Sequence, residues 1–210
     1  MAFALKDYID VINPKTYKEA IPRLAKVEDN AMTAAHILLS TFISLAFMAV
    51  SMVLSIQQVQ SYPAEYQQEM QGLFATEQKM FLTPVGIVLT FITSIISTII
   101  ALWILHQVCR IMGGKGKLGN QLYVTSMTML SMSVVYAPIL LLNLVPLVSC
   151  VASLCGLVFG LYGIYLYYIT ARAVHPELDN VKGAATVVIW MLASFAIGMV
   201  VFFARFAIGI

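Results

Sequence analysis

The sequence predicts an all-α integral membrane protein, a bundle of five transmembrane helices preceded by an N-terminal interfacial amphipathic helical arm. Of the 210 residues, 60% are hydrophobic and only 10% are charged, and the mean hydropathy is +0.89. Charged residues make up about a quarter of an ordinary soluble chain, so this composition excludes a soluble domain. No hydrophilic block is long enough to form a second folded unit.

Five apolar segments are long enough to cross a hydrocarbon core of about 30 Å, which requires roughly 20 helical residues. None of the five has Asp, Glu or Lys near its centre. We therefore divide the chain into an arm at 1–33 and a membrane domain at 34–210. The predicted spans are approximately 34–56, 83–108, 121–142, 146–170 and 183–208.

The positions of lysine and arginine predict the orientation, because these residues accumulate in cytoplasmic loops. With the N-terminus in the cytoplasm and the C-terminus outside, ten of the twelve basic residues lie on the cytoplasmic side, and only Lys79 and Arg205 do not. The mixed charges of residues 1–33 do not fit a cleaved signal peptide. We expect a multi-pass protein of the cell (plasma or inner) membrane.

The arm has the spacing of an amphipathic helix. Tyr8, Ile9 and Ile12 recur at helical intervals opposite charged residues, and Asn13-Pro14 should end that helix. The sequence Thr16-Tyr17-Lys18-Glu19 has the form of a capping box, which predicts that a second helix begins there. The arm is expected either to anchor the chain in the membrane interface or to present a docking surface to a partner.

The segment at 57–82 connects the first two spans and is longer than a tight turn. Apolar residues at helical intervals predict a second surface-lying helix. Its three glutamates, Glu65, Glu69 and Glu77, have no His or Cys beside them, which favours a solvated acidic face over a metal site.

Small residues mark candidate helix-packing faces, because membrane helices associate by close backbone approach and side-chain hydrogen bonds. In the fourth span, Gly156 and Gly160 form a Gly-x-x-x-Gly pair, and Gly163 extends the stripe. In the second span, Ser94 and Ser97 belong to a similar stripe. The same hydroxyls could line a pore, yet the span centres lack the ionisable groups typical of ion and proton pathways.

The loop Gly113–Gly119 contains a literal G-x-G-x-x-G, which is the pattern of a nucleotide-binding loop. A dinucleotide site needs a preceding β-strand and an acidic residue about 20 positions later. Here a membrane helix precedes the loop, and no Asp or Glu occurs from Lys79 to Pro176. The loop is therefore predicted to be a cytoplasmic connector. Its cations, Arg110, Lys115 and Lys117, are candidate contacts for a partner or for anionic headgroups.

No residue set predicts catalysis, and we expect no catalytic residue, no metal and no cofactor. No Ser/His/Asp, Cys/His or paired-carboxylate arrangement can be assembled, and the basic residues do not form the patch that nucleic acid requires. His175 lies in a short cytoplasmic loop and joins the candidate partner or headgroup contacts. His36 and His106 are expected to be hydrogen-bonding residues near the membrane interface.

Short motifs in a fixed order resemble a known family. They are Gly113-Gly114-Lys115-Gly116, Gln121-Leu122-Tyr123-Val124, Tyr136-Ala137-Pro138, Leu144-Val145-Pro146-Leu147-Val148, Gly160-Leu161-Tyr162-Gly163 and Val174-His175. The set covers about half of the chain and resembles the Yip (Ypt-interacting protein) domain family, in its prokaryotic branch. The resemblance implies five spans with a cytoplasmic N-terminus. It also implies that Pro138 bends the third span, with the freed backbone carbonyl satisfied by neighbouring helices or by hydroxyls such as that of Ser133.

The resemblance also implies a function. Eukaryotic members resemble membrane-trafficking factors that interact with Rab/Ypt GTPases and with one another. Their D-L-x-G-P and G-Y signatures are not present as such, and Gly163-Ile164-Tyr165 is a loose echo of the second, so a small GTPase is the less favoured partner. The expected function is a non-enzymatic scaffold, trafficking-like or accessory factor that binds a membrane protein or a second copy within the lipid bilayer.

Two alternatives stay open. One is a transporter or permease component for a small or lipophilic substrate, which a continuous hydrated cavity lined by Thr90, Ser94, Ser97 and His106 would favour. The other is an accessory subunit of a larger membrane complex, with an apolar seam left open on the second or fourth span.

Overall fold

A computed structural model describes residues 5–60, 63, 82–142, 145 and 148–207. These residues form seven α-helices and no β-strand. The helices are α1 (Leu5–Ile12), α2 (Tyr17–Leu24), α3 (Asn30–Val59), α4 (Pro84–Ile111), α5 (Leu118–Leu142), α6 (Ser149–Val174) and α7 (Asn180–Ala207).

Five of the described helices, α3 to α7, are long and apolar enough to cross a membrane, which confirms the predicted multi-pass architecture. Several extend beyond the predicted spans. Helix α3 begins at Asn30, because the Asp29 carboxylate accepts a hydrogen bond from the Met32 backbone N–H at 2.9 Å and caps the first turn. The surface-lying helix predicted at 57–82 falls almost wholly outside the described residues.

Helix α5 is the central helix of the bundle. Half of its spanning segment (50%) is buried, against 11–22% for the other four, and it contacts α1, α2, α3, α4 and α6. The hydroxyls of Thr128 and Ser131 donate to backbone carbonyls one turn earlier, so they are satisfied without water. A helix enclosed by protein can therefore carry polar side chains that a lipid-facing helix could not. Its buried polar residues are Gln121, Thr125, Ser126, Thr128 and Ser131.

The arm packs into the bundle. Val11 of α1 and Ile21 of α2 are fully buried and share an apolar core with residues of α5 and α6, among them Met127 and Leu166. This core contributes the hydrophobic stabilisation that neither short helix could supply alone. On the outer side of α1, Leu5 remains 76% exposed, which leaves an apolar surface for the membrane interface.

The boundaries within the arm follow the sequence in part. Helix α1 ends at Ile12, before Asn13-Pro14, as predicted. Helix α2 begins at Tyr17, also as predicted, but the capping box is wrong. The Thr16 hydroxyl donates to the Asp10 carbonyl at 3.1 Å and makes no capping bond, because the turn brings the end of α1 within its reach.

Hydrogen bonds also tie the arm to the bundle. The Tyr162 hydroxyl donates to the Ile12 carbonyl at 2.9 Å, and the Asn120 amide donates to the Ala25 carbonyl at 2.9 Å. The Tyr8 hydroxyl lies 2.9 Å from His36 Nε2, which confirms His36 as a hydrogen-bonding residue. The arm is thus held at both ends of its length.

We predict that Tyr162→Phe loosens the arm without unfolding the bundle. The change removes the hydroxyl that donates to the Ile12 carbonyl, a bond worth about 0.5–1.5 kcal/mol. Limited trypsin digestion of the protein in detergent should then cleave faster after Lys15 and Lys18. Tyr136→Phe, on α5, is the matched control and should leave the cleavage rate unchanged. An unaltered rate in Tyr162→Phe would contradict the prediction.

The arm, the glycine loop and the segment after α6 all lie at one end of the bundle, which we call the arm end (residues 5–29, 110–121 and 175–179). The Lys115 backbone N–H donates to the Glu177 carboxylate at 3.2 Å, across the two connecting segments. The Asn120 amide reaches back to the arm. Residues far apart in sequence therefore form one continuous surface.

Candidate functional site

The glycine loop begins with a structured end to α4. The Gly113 N–H donates to the Arg110 carbonyl at 3.0 Å, and the Gly114 N–H donates to the Cys109 carbonyl at 2.9 Å. These two bonds form a Schellman motif, whose turning residue adopts a left-handed conformation. Gly113 is that residue, with φ of 99°, so a glycine is required there.

The rest of the loop is docked on the end of α6. The Gly116 N–H donates to His175 Nδ1 at 2.9 Å. A Cβ at Gly114 would lie 2.5 Å from His175 Nδ1, and one at Gly116 would collide with the Val174 carbonyl oxygen. Both glycines are therefore needed for close approach, and the connector is a packed element of the fold.

His175 belongs to a buried polar cluster of four side chains, which we call the histidine–glutamine cluster (His106, Cys109, Gln121 and His175). Gln121 Oε1 lies 2.7 Å from His175 Nε2 and 2.9 Å from His106 Nδ1. Gln121 Nε2 donates to Cys109 Sγ at 3.6 Å. All four side chains are at most 4% exposed. The cluster joins α4, α5 and the end of α6.

The hydrogen bonds determine which ring nitrogens of the two histidines donate. A backbone N–H can only donate, so His175 Nδ1 must accept from Gly116, and the proton of a neutral ring lies on Nε2. Gln121 Oε1 can only accept, so it receives both the His175 Nε2–H and the His106 Nδ1–H. The side chain of Gln121 thus satisfies two buried imidazoles at once.

This arrangement opposes metal binding at the cluster. A metal ligand needs a free lone pair, and the Nε2 of His175 carries a proton while its Nδ1 accepts from Gly116. Throughout the described part of the chain, no group of three or more His, Cys, Asp and Glu side chains could hold a metal ion. The chemistry available here is hydrogen bonding between helices.

Burial, together with the nearby His106 and Arg110, lowers the pKa of His175 to about 4, against an opposing effect of Glu177. Protonation of Nδ1 would also point an N–H at the N–H of Gly116. The neutral ring is therefore part of the folded state.

We predict that the folded protein loses stability as the pH falls from about 6.5 to about 4. In this window the unfolded chain binds a proton at His175, whose ordinary pKa is near 6.5, while the folded chain does not. Acid therefore favours unfolding. The check is the thermal unfolding midpoint in detergent from pH 7.5 to 4.5, for the native chain and for His175→Gln, which should have a shallower pH dependence. Equal slopes for the two proteins would contradict this.

The candidate contact residues divide into two groups. Arg110, Lys115 and Lys117 are exposed at the arm end, where a partner or an anionic headgroup can reach them. His175 is not: its side chain is fully buried, contrary to the surface position expected from the sequence. The reason is that the glycine loop folds over it and Gln121 pairs with it.

The candidate packing residues also differ from one another. A Cβ on Gly163 would approach Met132 Cε to 2.9 Å, but that atom is the flexible end of a side chain and can move aside. Gly156 has only ordinary contacts with Tyr136, and Gly160 has open space around it. Ser94 and Ser97 are half-buried on α4.

Pro138 lies on the exposed side of α5, inside the helix. The Ser133 hydroxyl, expected to satisfy the carbonyl that the proline frees, instead donates to the Met129 carbonyl at 2.9 Å. That partner lies one turn earlier along the helix, within direct reach of the side chain.

Sequence reasoning did not identify Gln121 as a central residue. A signal was available, because Gln121 and His175 both belong to the ordered motifs that carry the family resemblance. In addition, Gln121 begins the third span and His106 lies near the end of the second, so the sequence places these two polar side chains at a similar depth in the membrane. His106 is confirmed as a hydrogen-bonding residue.

The hydroxyls that a transport pathway would use do not line a common cavity in the described clefts. The cleft that Thr90 lines is apolar and lies between α3 and α4, and it includes none of Ser94, Ser97 and His106. His106 is buried against Gln121. A cavity lined jointly by Thr90, Ser94, Ser97 and His106, which would favour transport, is therefore not found among the described clefts.

Comparison with known proteins places the chain in a family. No curated protein and no solved structure matched it. The family model of the Yip1 domain matches residues 9–202. This range includes most of the arm, the glycine loop, the histidine–glutamine cluster and all five candidate spans. The chain therefore belongs to the Yip1 domain family.

Proposed function

We propose that this protein is a non-enzymatic membrane scaffold or accessory factor, trafficking-like in its role, that presents its arm end to a partner. One observation carries the proposal: the arm, the glycine loop and the segment after α6 are interlocked by buried side chains and hydrogen bonds. A surface that is ordered before binding loses less conformational entropy when the partner arrives. Such a surface suits recognition.

The partner that this surface suits best is a membrane protein or a second copy of the chain. Arg110 at the end of α4 and Lys115 and Lys117 of the ordered loop are exposed, and they can pair with carboxylates of a partner held at the same membrane face. A small GTPase is a third candidate, supported only by the family resemblance. Being membrane-bound raises the local concentration of any partner in the same bilayer, so modest contacts suffice.

The test is lysine-reactive crosslinking in native membranes followed by mass spectrometry. The native chain should give reproducible crosslinks to one partner from Lys115 and Lys117 and from the exposed Lys15 and Lys18 of the arm. The charge reversal Lys115→Glu with Lys117→Glu should abolish recovery of that partner through Lys15 and Lys18 as well, which remain reactive. The control is Lys6→Glu, an exposed charge reversal on α1 away from the glycine loop, which should retain the partner. Recovery of no reproducible partner, or equal recovery with both variants, would overturn the proposal.

We also propose that the arm end faces the cytoplasm and the C-terminus lies outside the cell membrane. The distribution of basic residues supports this orientation. In a chain that also carries Cys150→Ser and Cys155→Ser, which remove the two exposed native thiols, a membrane-impermeant thiol reagent should label Lys115→Cys only after the cells are opened. Labelling of intact cells would reverse the orientation.

A further inference from the structure

A cleft of about 360 Å³ lies in the middle of the bundle, between α3, α5, α6 and α7. Its walls are mainly apolar, aromatic and thioether side chains, among them Met129, Met132, Phe159 and Trp190, and Gly160 forms part of one wall. Clefts of this size and character between the helices of a bundle are typical of sites for apolar ligands. The packing of the helices alone does not explain it.

The cleft lies at the depth of the hydrocarbon core. Its lining residues fall near the midpoints of their helices, with Ser44 in α3 and Trp190 in α7. At the rim, Tyr136 is 36% exposed and Met191 is 38% exposed, so the cleft is continuous with the lipid-facing surface. The opening of the cleft therefore faces the acyl region of the bilayer.

The cleft is suited neither to remaining empty nor to filling with water. In an empty cleft of this volume the surrounding side chains lose van der Waals contacts, and the free-energy cost grows with the volume of the cavity. Water, at about 30 Å³ per molecule, would need roughly a dozen molecules, each with two to four polar partners. Two of the polar groups in the lining are already engaged, because Ser133 donates to the Met129 carbonyl and Trp190 Nε1 donates to the Ala101 carbonyl.

We infer that the cleft between α3, α5, α6 and α7 is a binding site for a lipid acyl chain, which enters from the bilayer past Tyr136 and Met191 and lies against Gly160. Gly160 supports this assignment because it has no side chain to fill the cleft. A Cβ built there meets no atom within 4 Å, so no neighbouring helix requires the glycine, and a larger side chain would occupy the space of the ligand.

The experiment uses the full chain in phosphatidylcholine vesicles that contain a trace of phospholipid with a diazirine on its acyl chain. After irradiation and digestion, lipid adducts are mapped by mass spectrometry. In the native chain, adducts should be enriched at Met129, Met132 and Trp190 relative to lipid-facing residues outside the cleft, such as Leu154. Gly160→Leu should reduce the cleft adducts several-fold and leave those at Leu154 unchanged.

The matched control is Gly198→Leu. Gly198 is also helical and exposed, and a Cβ added to it would meet no atom within 4 Å, but it does not line the cleft. This variant should label like the native chain. Gly160→Ala should give a smaller loss than Gly160→Leu, which guards against misfolding of the larger variant. Equal labelling of cleft and lipid-facing residues, or no effect of either Gly160 variant, would overturn the inference.

Discussion

Gln121→Leu should be among the most destabilising single substitutions at the arm end. The leucine side chain is one bond shorter and accepts no hydrogen bond, so the His106 Nδ1–H and the His175 Nε2–H lose their shared partner while both rings stay buried. A buried donor left unsatisfied costs about 1–3 kcal/mol, so the two together predict a loss of about 2–6 kcal/mol of unfolding free energy. The measurement is the thermal unfolding midpoint in detergent at pH 7.5.

Two further variants separate the lost acceptor from a general packing effect. Gln107→Leu makes the same chemical change at a half-buried position of α4 and should alter the midpoint little. Gln121→Glu keeps an oxygen that accepts from both histidines, so it should recover much of the stability. Its negative charge also favours the imidazolium form of His175, which brings the folded-state pKa closer to the unfolded value and should make the acid-dependent loss of stability smaller. A Gln121→Leu protein as stable as the native one would refute the role of the cluster.

Gly116→Ala should release the glycine loop from the end of α6. The new Cβ would collide with the carbonyl oxygen of Val174, which is backbone and cannot move aside by changing rotamer. The loop must shift, and the bond from the Gly116 N–H to His175 Nδ1 then lengthens or breaks. Overpacking of this kind costs about 1–3 kcal/mol, in addition to the lost hydrogen bond.

Hydrogen exchange of the loop amides, together with the unfolding midpoint, measures this effect. Faster exchange at Lys115 and Gly116 and a lower midpoint are expected. Gly198→Ala serves as the control, since a Cβ there meets nothing within 4 Å and alanine is the better helix former. If Gly116→Ala exchanges and melts like the Gly198 variant, the loop is not held in the way described.

Much of the architecture could be predicted because its causes are local. About 20 apolar residues in a row can satisfy their backbone in lipid only as a helix, so the five spans follow from hydropathy. Asn13-Pro14 stops α1 by the geometry of proline alone. The predictions that failed concern contacts that a residue makes outside its own helix. The capping box failed because the Thr16 hydroxyl is turned toward the Asp10 carbonyl, to which it donates, and accepts from no backbone N–H of α2. His175 was misplaced because residues 54 and 59 positions away, Gln121 and Gly116, bind its ring.

Composition and short-range spacing were enough to define the class of the protein, the number of its spans and the helical nature of its arm. Helix packing, in contrast, established that the arm lies against α5 and α6, that the glycine loop is docked, and that Gln121 joins two buried histidines. The physical reason is that a hydrogen bond requires two groups to meet in space. Which groups meet depends on how the helices pack, and helical spacing within one segment carries no information about its partner in another.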